Sequence, residues 1–282
     1  MFSHHSAELG EVRLHYVTAG SGARALVLLH GWPQSWWEWR RIMPALAEHF
    51  TVIAPDMRGL GDSSCPPGGY DKATVANDIW RLMSEVLGYQ NFYLVGHDWG
   101  GPVAYALAHA HMEAVEKLAI LDVVVPFGSA DDLTWGGKRW HHGFHWVQDL
   151  PEALVSGRER MYLSWFYNNL AYNPAAISPE DIDEYARAYS RPGVLRAGFE
   201  YYRATTTDIA DNNENKKTPL TMPVLALGGS GGKGRGMQVL ENMRELASDV
   251  EGGAIEQCGH FVPEEQPELL TRELLDFFGR AG

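Results

Sequence analysis

Short apolar runs recur along this chain with the spacing of strands in a parallel sheet. Val12, Leu14 and Tyr16 alternate with polar residues, the period-two signature of a half-buried strand. Residues 25–29, Ala-Leu-Val-Leu-Leu, form the continuous apolar run of a strand covered on both faces. Residues 51–54, 92–95, 118–121 and 224–227 read the same way, and helical patterns at 36–47 and 74–87 separate the earlier runs. Buried strands alternating with helices predict an α/β protein, a mostly parallel sheet flanked by helices.

The alternation stops at Pro126 and resumes only near Thr221. The stretch between is rich in Trp, Tyr, Phe and His, has helix-like segments at 152–168 and 179–190, and is punctuated by Asn173-Pro174 and Ser178-Pro179. The expected organisation is a core domain, residues 1–125 and 219–282, with a helical cap inserted at 126–218. Within the cap, the polar run 208–218 reads as the hinge that returns the chain to the core. His4 and His5 fall in an expected mobile tail and carry no functional weight. No internal repeat is visible.

Composition narrows the function classes. With 282 residues and 45% hydrophobic content the chain can bury a full core. Its formal net charge of −13 argues against nucleic acid or an anionic membrane as a partner and favours small neutral substrates. Cys65 and Cys258 lie far apart with no CxxC spacing, so neither a disulfide framework nor a zinc site is expected. His141 and His145 stand four apart, but no acidic third ligand or H-E-x-x-H pattern accompanies them, so no metal or cofactor is expected. The N-terminus lacks a basic segment followed by an apolar one, and no window reaches the roughly 18 apolar residues of a transmembrane helix. A cytoplasmic protein is the expectation, with a homodimer among the open oligomeric states.

The chemistry concentrates at a few motifs. After the strand ending at Val95 comes Gly96-His97-Asp98-Trp99-Gly100-Gly101, then an apolar helix from Val103 to Ala110. This is the context of the G-x-S-x-G nucleophile elbow, with Asp where Ser usually stands. A carboxylate there can attack an sp3 carbon and form an alkyl-enzyme ester, dividing one hard displacement into two easier steps. As a competing role, Asp98 would only cap the helix. The string Gly228-Gly229-Ser230-Gly231-Gly232 also resembles an elbow and continues into G-x-G-x-x-G, but it lacks an immediate helix and is read as a decoy. His260, in Cys258-Gly259-His260-Phe261, is the candidate base. Its orienting acid is expected after the strand at 224–227, yet 224–237 holds no Asp or Glu; Asp122, ending the strand at 118–121, is the well-placed carboxylate. His30-Gly31-Trp32-Pro33 follows the first buried strand, and backbone N–H groups of Trp32 and Trp99 are the expected oxyanion hole. Aromatic residues, among them His142, Phe144, Trp146 and Phe261, are expected to line an apolar substrate pocket.

The HGWP loop, the turn Asp56-Met57-Arg58-Gly59-Leu60-Gly61-Asp62-Ser63, the GHDWG elbow and Gly259-His260 resemble the epoxide-hydrolase and dehalogenase branch of the α/β-hydrolases, over essentially the whole chain. The resemblance implies an α/β-hydrolase fold and, as the first activity, opening of a small apolar epoxide by water to a vicinal diol. In epoxide hydrolases two cap side chains, usually both Tyr, hydrogen-bond the epoxide oxygen. Phe199-Glu200-Tyr201-Tyr202-Arg203 looks like the segment supplying the second, at Tyr202. The first falls in Trp140-His141-His142-Gly143-Phe144, where no Tyr is present and His141 is the nearest match. Such a His/Tyr pair resembles the small subgroup of bacterial inhibitory-factor-like epoxide hydrolases. Dehalogenases share the Asp nucleophile and form the alternative, although the arginines that fluoroacetate dehalogenases carry just after the nucleophile are replaced here by Trp99 and Pro102. A ligand receptor built on a hydrolase fold is the reading of another class.

Overall fold

The computed structural model describes residues 2–131, 134 and 136–280. Its centre is an eight-stranded sheet in the order β1-β2-β4-β3-β5-β6-β7-β8. The strands are β1 (Ser3–Glu8), β2 (Arg13–Ala19), β3 (Ala25–Leu29), β4 (Thr51–Pro55), β5 (Phe92–His97), β6 (Val115–Leu121), β7 (Val224–Gly229) and β8 (Val250–Ile255). The β1–β2 and β2–β4 pairs are antiparallel and the remaining pairs parallel. Strands β3 and β5 are buried along their whole length, as their unbroken apolar runs require. Helices cover both faces: α1 (Met43–Leu46), α2 (Lys72–Arg81), α3 (Gly100–Ala110), α10 (Gln238–Arg244), α11 (Val262–Glu265) and α12 (Pro267–Gly279).

Between β6 and β7 run α4 (Trp140–Trp146), α5 (Leu150–Val155), α6 (Glu159–Leu170), α7 (Pro179–Tyr189), α8 (Val194–Arg203) and α9 (Thr205–Asn215). Ser178 starts α7 with a reciprocal capping box to Asp181. Helices α6 to α8 turn tyrosines and phenylalanines inward around the Trp32 indole, whose ring lies 4.8 Å from Phe166, 5.5 Å from Tyr202 and 6.3 Å from Tyr189. A side chain on Gly198 would run into that indole, so glycine lets α8 pack there. Among the described residues, no helix is long and apolar enough to cross a membrane.

Four expectations need correction. The N-terminus is not a mobile tail: β1 forms the sheet edge, His4 Nδ1 pairs with His15 Nε2 at 3.0 Å and His5 Nε2 with Thr18 Oγ1 at 3.0 Å. Its side chains are mostly polar because an edge strand faces water. The polar run 208–218 is not a hinge loop but largely helix α9. Its polar residues are anchors: Asp208 pairs with Lys72 at 2.7 Å and Asn212 donates to the Pro126 carbonyl at 2.8 Å, both from buried positions one helical turn apart. The helical pattern at 36–47 resolves into a 3-10 turn, Trp36–Trp39, and the short α1, whose second residue is Pro44. The segment 152–168 breaks at Gly157, which has φ of 76°.

Candidate active site

Residue 98 sits at the tip of β5, where the chain turns sharply into α3. Asp98 has φ of 45°, a left-handed conformation that costs a non-glycine residue energy and holds its carboxylate out of the turn. Such a turn works only with small neighbours: a Cβ on Gly96 would strike the Gly100 carbonyl, and one on Gly31 would strike Asp98 itself. The Trp32 backbone N–H donates to Asp98 Oδ1 at 2.8 Å. Burial alone would raise the Asp98 carboxyl, but the hydrogen bond and charge of His260, with help from His97 and the Trp99 N–H, hold it well below the usual carboxylate range. It is therefore an anion at neutral pH.

Asp122, at the end of β6, also has φ of 45°. Its Oδ1 accepts from the backbone N–H groups of Gly229 (2.8 Å) and Arg235 (2.7 Å), and its Oδ2 lies 2.7 Å from His260 Nδ1. The glycine-rich string that resembled a second elbow thus cradles the acid; a Cβ on Gly229 would collide with the Gly259 carbonyl in the His260 loop. His260 Nε2 lies 3.3 Å from Asp98 Oδ2. Burial disfavours the imidazolium, yet hydrogen bonds and charge from Asp122 and Asp98 outweigh it and push the pKa up to about 9. The three residues stand in the order carboxylate, imidazolium, carboxylate, with the orientation of the ring fixed by Asp122.

Three side chains that sequence reasoning passed over hold this arrangement. His97 Nε2 donates to the His260 carbonyl at 2.8 Å, while its Nδ1 faces Glu38 Oε2 at 3.2 Å. Glu265 accepts from the N–H groups of Gly259 and Phe261, each at 3.1 Å. Lys72, fully enclosed, places Nζ 4.1 Å over the Trp99 ring, donates to the Tyr201 carbonyl at 2.5 Å and pairs with Asp208. It ties α8 and α9 to the ring that follows Asp98. A lysine at a helix start gives no signal of this in sequence.

A cavity of about 280 Å³ opens over Asp98, lined among others by Trp99, Val123, Phe127, His142 and Tyr202. Tyr202 is 3% exposed, and burial followed by the Asp98 charge raises its pKa well above the ordinary value, so it stays a hydroxyl donor. His141 faces an adjoining cavity that His260 also lines. Burial and then the Arg139 charge lower the His141 pKa to about 3, and burial and then the His141 ring lower that of His142, so both rings are neutral with one N–H each. The ring centroids of His141 and His142 lie 5.9 and 5.0 Å from that of Tyr202. His145 is committed elsewhere, its Nε2 2.6 Å from the Tyr162 hydroxyl.

Three expected pocket residues are elsewhere. Trp146 is 49% exposed with Nε1 donating to the Arg203 carbonyl, because helical spacing turns residues 141 and 145 inward and 146 outward. Phe144 packs against Trp140 and Tyr162, beside the cavity and not in its lining. Phe261 is wholly buried between His260 and Tyr167, backing the imidazole. Among the described residues, the one group of ligating side chains close enough to share a metal is His15, Asp56 and Asp62. These already bond one another, backbone N–H groups and Arg187, which is a structural network.

A family model described as alpha/beta hydrolase fold matches residues 24–267. The chain is 46% identical to a soluble epoxide hydrolase of Corynebacterium sp. (strain C12), covering 98% of this chain and 97% of that one. It is 30% identical to a fluoroacetate dehalogenase of Burkholderia sp., covering 99% and 95%. A solved structure, epoxide hydrolase CorEH without ligand, superposes with a TM-score of 0.93 at 44% identity, covering 99% of both chains.

Proposed function

The chain belongs to the α/β-hydrolase family, and from that premise we propose that it is an epoxide hydrolase working through a covalent ester on Asp98. The observation that carries the reading is one carboxylate met on two sides, by the Trp32 N–H at 2.8 Å and by His260 Nε2 at 3.3 Å, beneath a cavity that Tyr202 also lines. The 46% identity to a soluble epoxide hydrolase supports it.

In the first step Asp98 Oδ2 attacks a ring carbon of the epoxide and the C–O bond breaks. The alkoxide takes a proton from Tyr202, with His141 as the second hydrogen-bond donor. Esterification removes the Asp98 charge, one of the two that with Asp122 raised the His260 pKa, so the imidazolium passes its proton through solvent to the tyrosinate and becomes a base. It then deprotonates water, which attacks the ester carbonyl. The oxyanion sits where Trp32 N–H and Trp99 N–H can hold it. On collapse the proton of the added hydroxyl passes to the departing diol oxygen, which restores the Asp98 carboxylate with His260 again protonated. The helices inserted at 126–218 act as the cap that supplies these donors and keeps bulk water out.

The test is mass spectrometry of His260→Gln after incubation with styrene oxide, a bromoalkane and fluoroacetate in parallel. An Asp98 adduct that retains the opened ring's hydroxyl is expected. An adduct from the halide alone would move the assignment to dehalogenase, the reading favoured by the fluoroacetate dehalogenase relative.

A further inference from the structure

A second histidine and a second carboxylate lie directly behind the base, and the steps above use neither. His97, beside the nucleophile, and Glu38, from the 3-10 turn Trp36–Trp39, are both wholly buried. The His97 ring centroid lies 5.0 Å from that of His260. Its Nε2 faces the His260 carbonyl at 2.8 Å and its Nδ1 faces Glu38 Oε2 at 3.2 Å.

Both of these partners are acceptors. A carbonyl oxygen takes a hydrogen bond and gives none, so Nε2 carries a proton. A carboxylate also only accepts, so Nδ1 carries one too, and an imidazole protonated on both nitrogens is a cation. Burial works against that charge, but the charge and hydrogen bond of Glu38 outweigh it and raise the His97 pKa above the ordinary value. The other titratable groups around the pair are His260 and Asp98 on the His97 side, with Tyr167 of α6 and Tyr185 of α7 on the Glu38 side. Burial holds both tyrosines well above their ordinary value, so they stay neutral. Around His260 itself stand Asp122, Asp98 and His97, with His141 from α4.

We propose that Glu38 keeps His97 as a standing cation behind His260, and that this cation is a positioning residue for the base: it holds the His260 loop by its carbonyl and drives the proton off the His260 ring once Asp98 is esterified. The inference rests on the epoxide-hydrolase reading for the ester step and on hydrogen-bond geometry for the charge on His97. Before attack, Asp98 and Asp122 compensate the His260 imidazolium and Glu38 compensates His97. The ester takes away the Asp98 charge and leaves two imidazoliums 5.0 Å apart in a buried site, where like charges repel strongly. His260 yields the proton because its ring lines a cavity, whereas His97 is enclosed. The pair thus favours the form of His260 that activates water at the one stage that needs it.

Ring-nitrogen NMR of histidine-labelled protein, titrated for the wild type and for Glu38→Gln, tests the charge. In the wild type both His97 nitrogens should stay protonated from about pH 6 to about pH 9. Glutamine keeps the shape and can donate to a neutral Nδ1, so the variant retains the bond to the His260 carbonyl and loses the cation. The His260 midpoint should then lie about one pH unit higher. His97→Gln, which also removes the cation and keeps a donor for the carbonyl, should move that midpoint in the same direction. A neutral His97 in the wild type, or a His260 midpoint that neither variant moves, overturns the proposal. Single-turnover kinetics with styrene oxide then test the step. Ester decay in Glu38→Gln should be about 10-fold slower on the acid side of its pH profile and within about twofold of the wild type on the alkaline side. A loss equal at every pH marks a merely structural pair and sinks the role assigned to the cation. If styrene oxide leaves no ester on Asp98, the epoxide reading falls, and the NMR titration still decides whether His97 is charged and acts on His260.

Discussion

The candidate site has two halves built on different principles. On the core side, Asp98, Asp122 and His260 are fixed by hydrogen bonds to main chain: Trp32, Gly229 and Arg235 N–H on the carboxylates, and on the His260 main chain the His97 side chain and, from the inserted segment, the Leu170 carbonyl. On the inserted side, Tyr202, His141 and His142 are held by ring packing, with Tyr202 set edge-on to Trp32, Trp99 and both histidines. Hydrogen bonds to main chain hold an atom in place, and the nucleophilic attack proposed for Asp98 would need that precision. Aromatic edges tolerate rearrangement, which suits the half that meets differing substrates.

If the halves divide the work in this way, damage to the core half should cost most. Asp98→Ala removes the attacking atom and should lower kcat/KM for any epoxide by at least about 10⁴-fold with the far-ultraviolet circular dichroism unchanged. Residual turnover within tenfold of wild type would place the nucleophile elsewhere.

The joint between the halves comes next. Asp208→Asn strips the enclosed Lys72 of its counter-charge, and breaking a buried pair from one side costs about 3–5 kcal/mol. Urea denaturation should register that loss; an unchanged midpoint would show that the two halves are not tied through Lys72.

Damage on the inserted side should be milder. Tyr202→Phe removes one proton donor and should reduce the rate of adduct formation by about 100-fold while leaving ester hydrolysis nearly untouched, as read by single-turnover kinetics. In the same assay His141→Phe should slow ring opening more than His142→Phe. The reverse order would pass the donor role to His142, whose ring lines the Asp98 cavity.

The smallest effect concerns pH. The His260 pKa is raised to about 9 in the folded state. Protonation therefore stabilises the fold in full below the unfolded histidine value of about 6.5, and that contribution is lost as pH rises through about 9. The Tm should fall between those limits by about 2–4 °C more in the wild type than in Asp122→Asn. Parallel curves would mean that His260 is not held charged by its carboxylates.

Much of this was legible along the chain, for specific reasons. The elbow is local: strand, glycines, Asp98 and helix are contiguous, and steric limits at the turn leave few other residues possible. The buried strands β3 to β7 announce themselves because both faces are covered. Asp122 emerged by elimination, once residues 224–237 proved to lack an acid. Strand β1 and helix α9 did not emerge, since their polar residues form an edge and a set of anchors, and polarity alone cannot separate these from a loop.

What the sequence by itself determined is the order of buried strands and the choice of Asp98, His260 and Asp122 as the candidate nucleophile, base and acid, because each depends on neighbours within a few residues or on a single available carboxylate. Only the tertiary structure decided which aromatic residues face the cavity, what the glycine-rich string at 228–234 holds, and that Arg139 and Arg235 converge beside Asp98. Those depend on contacts between segments about a hundred residues apart, and period and spacing carry no information about such distances.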